Sequence, residues 1–298
     1  MYAVEREYLP YILNEQFDIG ICLDADPRSA TILSLARCHE KIGYIATERG
    51  VVVPATPRAE PWYHIGTNDT LKAGNRTTYQ RHIYDICRLS TEIAKPQLTL
   101  CAEGIRRGKE FVAKYGLGRY SIKVGINTGG GGRWQHKKWI PEYYVELIHG
   151  IARKHGTKVG ILLFGGPEEV ALNEWIHRKA EALVYNTGCD NSVMEFAGLV
   201  NITDAFVTSD SLGMHVSVAL NKHTIVLVGP TSPWELDVYG KGHVLYNEEL
   251  PCIACYRSTC DLEVNCMNTL RPEYILEKLT EYIDARYPLP TVQSTPAD

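Results

Sequence analysis

A chain of 298 residues, 45% hydrophobic and 22% charged, has the composition of a soluble globular protein long enough for two domains of ordinary size. Its net charge of −4 gives no electrostatic case for nucleic acid as a partner. No uninterrupted apolar stretch reaches the length of a membrane span and the first residues form no signal peptide, so a cytoplasmic location is expected.

Residues 4–15 read as a helix leading into a strand from Phe17 to Asp24. Arg28 to Cys38 reads as the next helix and Lys41 to Ile45 as a short strand. This βαβ rhythm is entered part-way: a doubly wound domain opens with a strand and a glycine turn that build a ligand crevice, and none precedes Glu5. Residues 48–75 carry Pro54, Pro57, Pro61, Gly66 and Gly74 as breakers and read as irregular. A helix is expected from Arg76 to Leu89, with Tyr79, Ile83, Ile86 and Cys87 facing inward. Arg76, Arg81 and His82 either bind an anionic acceptor or belong to a solvated helix face. After a loop from Thr91 to Leu100, Ala102 to Tyr115 reads as a helix stopped by Gly116. Residues 116–120 are therefore the expected interdomain hinge, dividing a first domain, 1–118, from a second, 119–270. A terminal helix, 271–286, and a loose Pro-, Ser- and Thr-rich tail, 287–298, follow.

In the second half, a strand from Ser121 to Ile126 runs into Asn-Thr-Gly-Gly-Gly-Gly-Arg-Trp-Gln-His-Lys-Lys, and Pro141 opens a helix that Gly156 ends. Lys158 to Phe164 is an apolar strand. Glu168 and Glu169 suit the first turn of the helix after it, which is expected to reach Leu183. Val193, Phe196, Ala197 and Val200 mark another helix. The stretch from Ala205 to Glu235 then reads as strand, turn, short helix beginning near Gly213, strand and turn. Strands alternating with helices at this cadence imply a parallel sheet covered on both faces.

Ligands of such sheets sit at the carboxyl ends of the strands, and a helix N-terminus there is an anion site. Four glycines after a strand let backbone N–H groups approach a phosphate, with Arg133, Lys137 and Lys138 adding positive charge. His215, in the first turn of the short helix, supplies another cation, and Thr231 and Ser232 add hydroxyls from a neighbouring loop. The loop is neither a Walker loop nor a dinucleotide fingerprint. On the blander reading the glycines form a flexible surface loop, and the Ser, Thr and Asp residues only cap helices. One of Glu168 and Glu169 is placed to accept ribose hydroxyls, the other to meet the helix dipole. Cys22, Cys38, Cys87, Cys101 and Cys189 read as reduced thiols. Cys252, Cys255, Cys260 and Cys266 form a cluster whose spacing four thiolates use around zinc or an iron–sulfur cluster; reduced packing cysteines are the alternative.

Five motifs come in a familiar order: Lys137-Lys138-Trp139-Ile140-Pro141, Phe164-Gly165-Gly166-Pro167-Glu168, Asn186-Thr187-Gly188, Ser209-Asp210-Ser211-Leu212-Gly213-Met214-His215, and Gly229-Pro230-Thr231-Ser232-Pro233. Together with Asp18–Arg28 and residues from Trp62 to Gln80, they make the chain resemble glycosyltransferase family 9, the heptosyltransferases of lipopolysaccharide core assembly, over nearly its whole length. The resemblance implies an α/β fold of GT-B type, two Rossmann-like doubly wound domains facing a cleft, with the N-terminal one incomplete. It implies that Thr128, Lys137, Glu168, Asp210, Ser211, Met214, His215, Thr231 and Ser232 surround a nucleotide-diphosphate sugar, ADP-heptose being the expected donor. The implied transfer inverts the sugar centre and uses no metal. The implied acceptor is a lipid-linked or other cell-envelope saccharide at the inner membrane face.

Two departures stand out. Leu212 occupies a position where the family has Gly. The family's first strand and following loop, which carry the aspartate that deprotonates the acceptor, have no counterpart, so the catalytic base is unassigned, and Asp24 and Asp26 follow a later strand. A late start or fragment, a partner chain, and a lineage that binds nucleotide sugar without catalysing each account for this. The cysteine cluster also resembles a loop common in the family.

Overall fold

The computed structural model describes residues 8–132, 134–181 and 183–287. Residues 4–7 of the first expected helix, Arg133 and the tail after Tyr287 lie outside the described residues. The chain divides into two compact units. One runs to Ala94 and takes in Trp234–Leu236; the other holds Lys95–Pro233 and continues from Asp237.

In the first unit, α1 (Leu9–Asn14) precedes β1 (Gln16–Cys22), α2 (Pro27–Leu35), β2 (Arg37–Ala46) and β3 (Val52–Pro54). The sheet runs β1-β2-β3, with β1 and β2 parallel and β2 and β3 antiparallel. The second helix stops three residues earlier than expected because Cys38 pairs with Phe17 in the sheet, and ladder bonding overrides the helical spacing of Leu35 and Cys38. The stretch expected to be irregular holds α3 (Glu60–Thr67) and α4 (Asp69–Gly74). Pro61 sits in the first turn of α3, where its missing N–H has no partner to lose, so it starts the helix rather than breaking it. Asn68 caps α4 by accepting from the Thr70 and Leu71 amides. The helix expected from Arg76 begins at Tyr79 as α5 (Tyr79–Ile86), where the Thr78 hydroxyl caps the Arg81 amide. Ala30, Ile42, Tyr44, Ala59 and Ile86 form the core of the unit. On β1, at the sheet margin, Phe17, Ile19 and Ile21 remain 37%, 53% and 55% exposed.

The acidic and basic residues of this unit serve its own structure. Asp26 caps α2, accepting from the Arg28 and Ser29 amides at 3.0 Å each, and Asp24 accepts from the Asp26 amide. Arg81 pairs with Asp85 one turn on, the Arg76 guanidinium lies 3.5 Å over the Trp234 ring, and His82 packs on Trp62 and meets Asn75.

The second unit contains α6 (Ala102–Tyr115), β4 (Ile122–Asn127), α7 (Pro141–His155), β5 (Val159–Phe164), α8 (Val170–Lys179), β6 (Val184–Asn186) and α9 (Val193–Asn201). It continues with β7 (Ala205–Ser209), α10 (Leu212–Ala219), β8 (His223–Leu227), β9 (Gly242–Leu245) and α11 (Pro272–Arg286). All of its strands are parallel, in the order β6-β5-β4-β7-β8-β9. Counted from β4, this is the 3-2-1-4-5-6 order of a doubly wound sheet, with its reversal between β4 and β7. One face is packed by Tyr144, Leu147, Ile151, Ile176 and Leu279; the other by Phe111, Leu162, Phe164, Phe206 and Val216. The short strands β6 and β9 escaped sequence reading, and α8 ends at Lys179 rather than Leu183.

The division between the compact units falls at residues 94–95, and α6 belongs to the second unit, where it packs on α9. Gly104 and Gly108 face Gly198 so closely that a Cβ on Gly198 would stand 1.9 Å from the Gly104 carbonyl oxygen. Neither backbone can retreat without uncovering Phe111 and Val200, so Gly198→Ala should lower stability by roughly 1–3 kcal/mol. A melting temperature unchanged from wild type would contradict this crossing.

His223, at the start of β8, stacks on Tyr282 at 4.1 Å and faces His243. Its buried Nε2 has no hydrogen-bond partner among the described residues. Burial first, then the charges of His243 and Lys241, pushes its pKa down to about 4. Below the ordinary histidine value of about 6.5 the unfolded chain gains a proton that the folded chain refuses, so stability is full above that pH and declines toward pH 4. His223→Phe keeps the stacking without the titration, and its melting temperature should fall less than that of wild type between pH 7 and pH 5.

Candidate functional site

The site is built at the strand-order reversal. Asn127 ends β4 with only 4% of its surface exposed, and the two protons of its side-chain amide are shared among the Thr208 hydroxyl at 3.0 Å, the Ser211 hydroxyl at 3.3 Å and the Gly129 carbonyl at 3.3 Å. The Ser209 hydroxyl donates to the same Gly129 carbonyl at 2.9 Å. These bonds tie the glycine loop to the end of β7. Gly213 lets the first turn of α10 approach: a Cβ there would stand 2.8 Å from the Asn127 amide nitrogen. Leu212, in the position where a glycine was expected, is 56% exposed at the rim instead. Engaged with Asn127 and Thr208, the Ser211 side chain does not cap α10, so the first amides of that helix meet no capping side chain, while the Met214 amide donates to the Ser211 carbonyl.

A cavity of about 470 Å³ opens over this crevice. At one end the Lys137 ammonium meets the Asp210 carboxylate at 2.8 Å, with both side chains largely buried at 13% and 16% exposure. The Thr231 hydroxyl donates to the same carboxylate oxygen at 2.9 Å, and Lys137 also lies over the Trp134 ring. At the other end the wall is less polar, with Cys189, Asn191, Val193 and Phe196. A hollow of 610 Å³ between α7 and α11 is larger, but its rim mixes Glu146, Arg153 and Glu273 away from the strand ends. In the first cavity a cation, a helix start and a glycine loop converge, the kind of groups that recognise phosphates.

The expected site residues divide into two groups. Lys137, Asp210 and Ser211 line the cavity, with Thr231 directly behind Asp210. Thr128 does not line it: its hydroxyl is buried against Asn173 at 2.6 Å and fastens β4 to α8. Met214 is a core residue at 1% exposure, and Ser232 is equally buried. His215 is exposed on α10 and lies outside the cavity wall. Of the two glutamates, Glu169 is committed, accepting from the Gly166 amide at 3.0 Å and pairing with Lys138 at 2.6 Å. The Glu168 carboxylate is 64% exposed, and a Cβ on Gly132 would stand 3.3 Å from it. Sequence reading missed Asn127, Trp134, Asn191 and Phe196. The position of Asn127 between a strand and a glycine run was the available signal.

The cysteine-rich loop props this site from outside. The Trp134 indole donates to the Tyr256 carbonyl at 3.2 Å, the Gln135 amide to that of Ser258 at 3.0 Å, and the Tyr256 amide to that of Pro230 at 2.8 Å. Burial pushes the Cys266 thiol up to about 12, reinforced by Cys255, Cys260 and Cys252 nearby. Among the described residues, no three His, Cys, Asp or Glu side chains are arranged to hold a metal ion.

The second unit is thus a doubly wound α/β domain with a crevice at its switch point, where Lys137, the start of α10 and the glycine loop meet. Among solved structures, a glycosyl transferase family 9 protein from Veillonella parvula matches 92% of this chain and 76% of its own at 17% identity, with a TM-score of 0.64. An Escherichia coli heptosyltransferase solved with ADP-2-deoxy-2-fluoro heptose matches 93% and 76% at 18% identity, with a TM-score of 0.54. These likenesses give the fold, which is GT-B. The family model for glycosyltransferase family 9 (heptosyltransferase) matches residues 10–265, and the chain belongs to that family. The lipooligosaccharide heptosyltransferase 2 of Campylobacter jejuni is 27% identical over 166 residues, 52% of this chain and 50% of that protein. The chain spans about half the length of the curated relatives it first matches.

Removing the ammonium strands a mostly buried carboxylate, so Lys137→Met should cost roughly 1–3 kcal/mol of stability, much of it recovered when Asp210→Asn is added. Additive losses in a melting-temperature cycle would show that the pair is not coupled.

Proposed function

We propose that this protein transfers a heptose or related sugar from a nucleotide-diphosphate donor, ADP-heptose, to a lipopolysaccharide-type or other cell-envelope saccharide. The observation that carries the reading is the meeting of Lys137, the uncapped start of α10 and the glycine loop at the strand-order reversal of a family 9 chain. An acceptor hydroxyl attacks the anomeric carbon from the face opposite the diphosphate, the C–O bond to the diphosphate breaks, and the sugar centre inverts. Negative charge then grows on the leaving diphosphate. Lys137 meets it, preorganised by Asp210, along with the amides of the helix start. Glu168 is assigned to the ribose hydroxyls and His215 to the outer side of the diphosphate and sugar. The transfer step needs no metal on this reading, because these groups supply the countercharge. The proton leaving the acceptor goes to a base that no residue of this chain is assigned to be.

No described helix is long and apolar enough to cross a membrane. The acceptor is proposed to be reached at the inner face of the cytoplasmic membrane by peripheral contact. The cysteine loop is proposed to brace Trp134 and Thr231, its thiols reduced or holding a structural zinc ion or iron–sulfur cluster.

The test is calorimetric titration with ADP-heptose and ADP, then transfer to heptose-deficient lipopolysaccharide. Lys137→Ala should lower kcat/KM by about a hundredfold or more, the scale of a lost transition-state countercharge. A folded wild-type protein that binds no nucleotide sugar would overturn the proposal. Tight binding without transfer would replace it with a nucleotide-sugar-binding role.

A further inference from the structure

The donor cavity is chemically polarised, and its less polar wall is held in place by a residue outside it. Cys189 and Asn191 lie on the loop between β6 and α9, and Val193 and Phe196 on the first turn of α9. Within the loop, Thr187 donates by amide and hydroxyl to the Leu163 carbonyl, the Gly188 amide donates to the Asn186 side chain of β6, and the Cys189 thiol accepts from Asn173 on α8. Arg107, on α6, reaches across. Its Nη2 donates to the Thr187 carbonyl at 3.1 Å, and Nε and Nη2 both donate to the Asn191 side-chain oxygen, at 3.2 Å and 3.1 Å. The Asn191 amide in turn donates to the carbonyls of Thr187 and Gly188. Gly188, at φ +87°, makes the reversal that lets the loop fold back onto these partners. The glycine crossing of α6 on α9 fixes the helix from which Arg107 projects, so one rigid element sets both the loop and the start of α9.

Two consequences narrow the role. The amide of Asn191 is spent on both sides, so that wall offers a ligand the apolar faces of Val193 and Phe196 rather than a side-chain hydrogen-bond code. Val193 is 57% exposed at a helix start, where a planar apolar ligand would cover it. Lys137 and the start of α10 belong to the β7 side of the cavity, where they would take phosphates.

We propose that Arg107 is a positioning residue for the nucleoside half of the donor, holding the wall against which the base packs without touching the ligand. The proposal rests on the nucleotide-sugar reading given above. Charge-assisted bonds from a guanidinium to a carbonyl and an amide oxygen are among the stronger anchors available to a loop, and preordering a binding loop raises affinity by sparing its ordering entropy.

The test compares two ligands on three proteins: ADP, which occupies both ends of the cavity, and inorganic pyrophosphate, which occupies only the charged end and is read by competition. Arg107→Ala should weaken ADP by about tenfold or more while pyrophosphate changes less than about twofold, because only the base wall loses its order. Arg107→Lys, which keeps the charge and a donor, should fall between, and it serves as the second probe if the alanine variant does not fold. Equal weakening of both ligands would mean that Arg107 merely stabilises the domain and would overturn the proposal, as would an unchanged ADP affinity. A wild-type protein that binds neither ligand would instead overturn the nucleotide-sugar reading on which it rests.

Discussion

Two strand ends diverge where β4 and β7 sit side by side, since the chain leaves β4 toward one face of the sheet and β7 toward the other. That divergence opens a crevice lined by backbone that cannot pair with a neighbouring strand. The side-chain amide of Asn127 fills the base of it, satisfying groups on the glycine loop, on β7 and on the turn into α10 at once. Every other feature of the site depends on this arrangement. It leaves the start of α10 without a side-chain cap by occupying the Ser211 hydroxyl, and it fixes where the glycine loop begins its path past Lys137.

Charge in the cavity is balanced before any ligand arrives. A lysine alone in a largely buried position would lose its charge or swing to water; paired with Asp210, itself steadied by Thr231, it stays aimed inward. On the proposed reading a diphosphate would find a cation whose direction is already set, and the reorganisation that solvent would need would be avoided. The same economy governs the glutamates. Lys138 and the Gly166 amide occupy Glu169, so the neighbouring carboxylate, Glu168, is the one left facing outward.

Much of this could be read from the residues alone, and the exceptions share a cause. The helix from Ala102 to Tyr115, the glycine loop after β4 and the strand–helix–strand run around Asp210 are local patterns, and the sequence reading matches the structure there. What escaped depends on partners far apart in the chain. Arg107 meets groups eighty or more residues away, and spacing within a helix gives no hint of it. Pro61 reads as a breaker unless its place at a helix start is known. Gly104 and Gly108, four apart on one helix face, were the available signal for the close crossing of α6 on α9. Thr128 and Met214 carried family expectations; in the structure the Thr128 hydroxyl is buried against Asn173 and Met214 lies in the core.

The margin of β1 has its own consequence for handling the molecule. Among the described residues, Phe17, Ile19 and Ile21 present a greasy strip on a strand at the sheet margin, the combination that templates strand addition between polypeptides. These three side chains therefore bear on colloidal behaviour in concentrated stocks. Kosmotropic salts such as ammonium sulfate, which strengthen apolar burial, will bring this protein out of solution early.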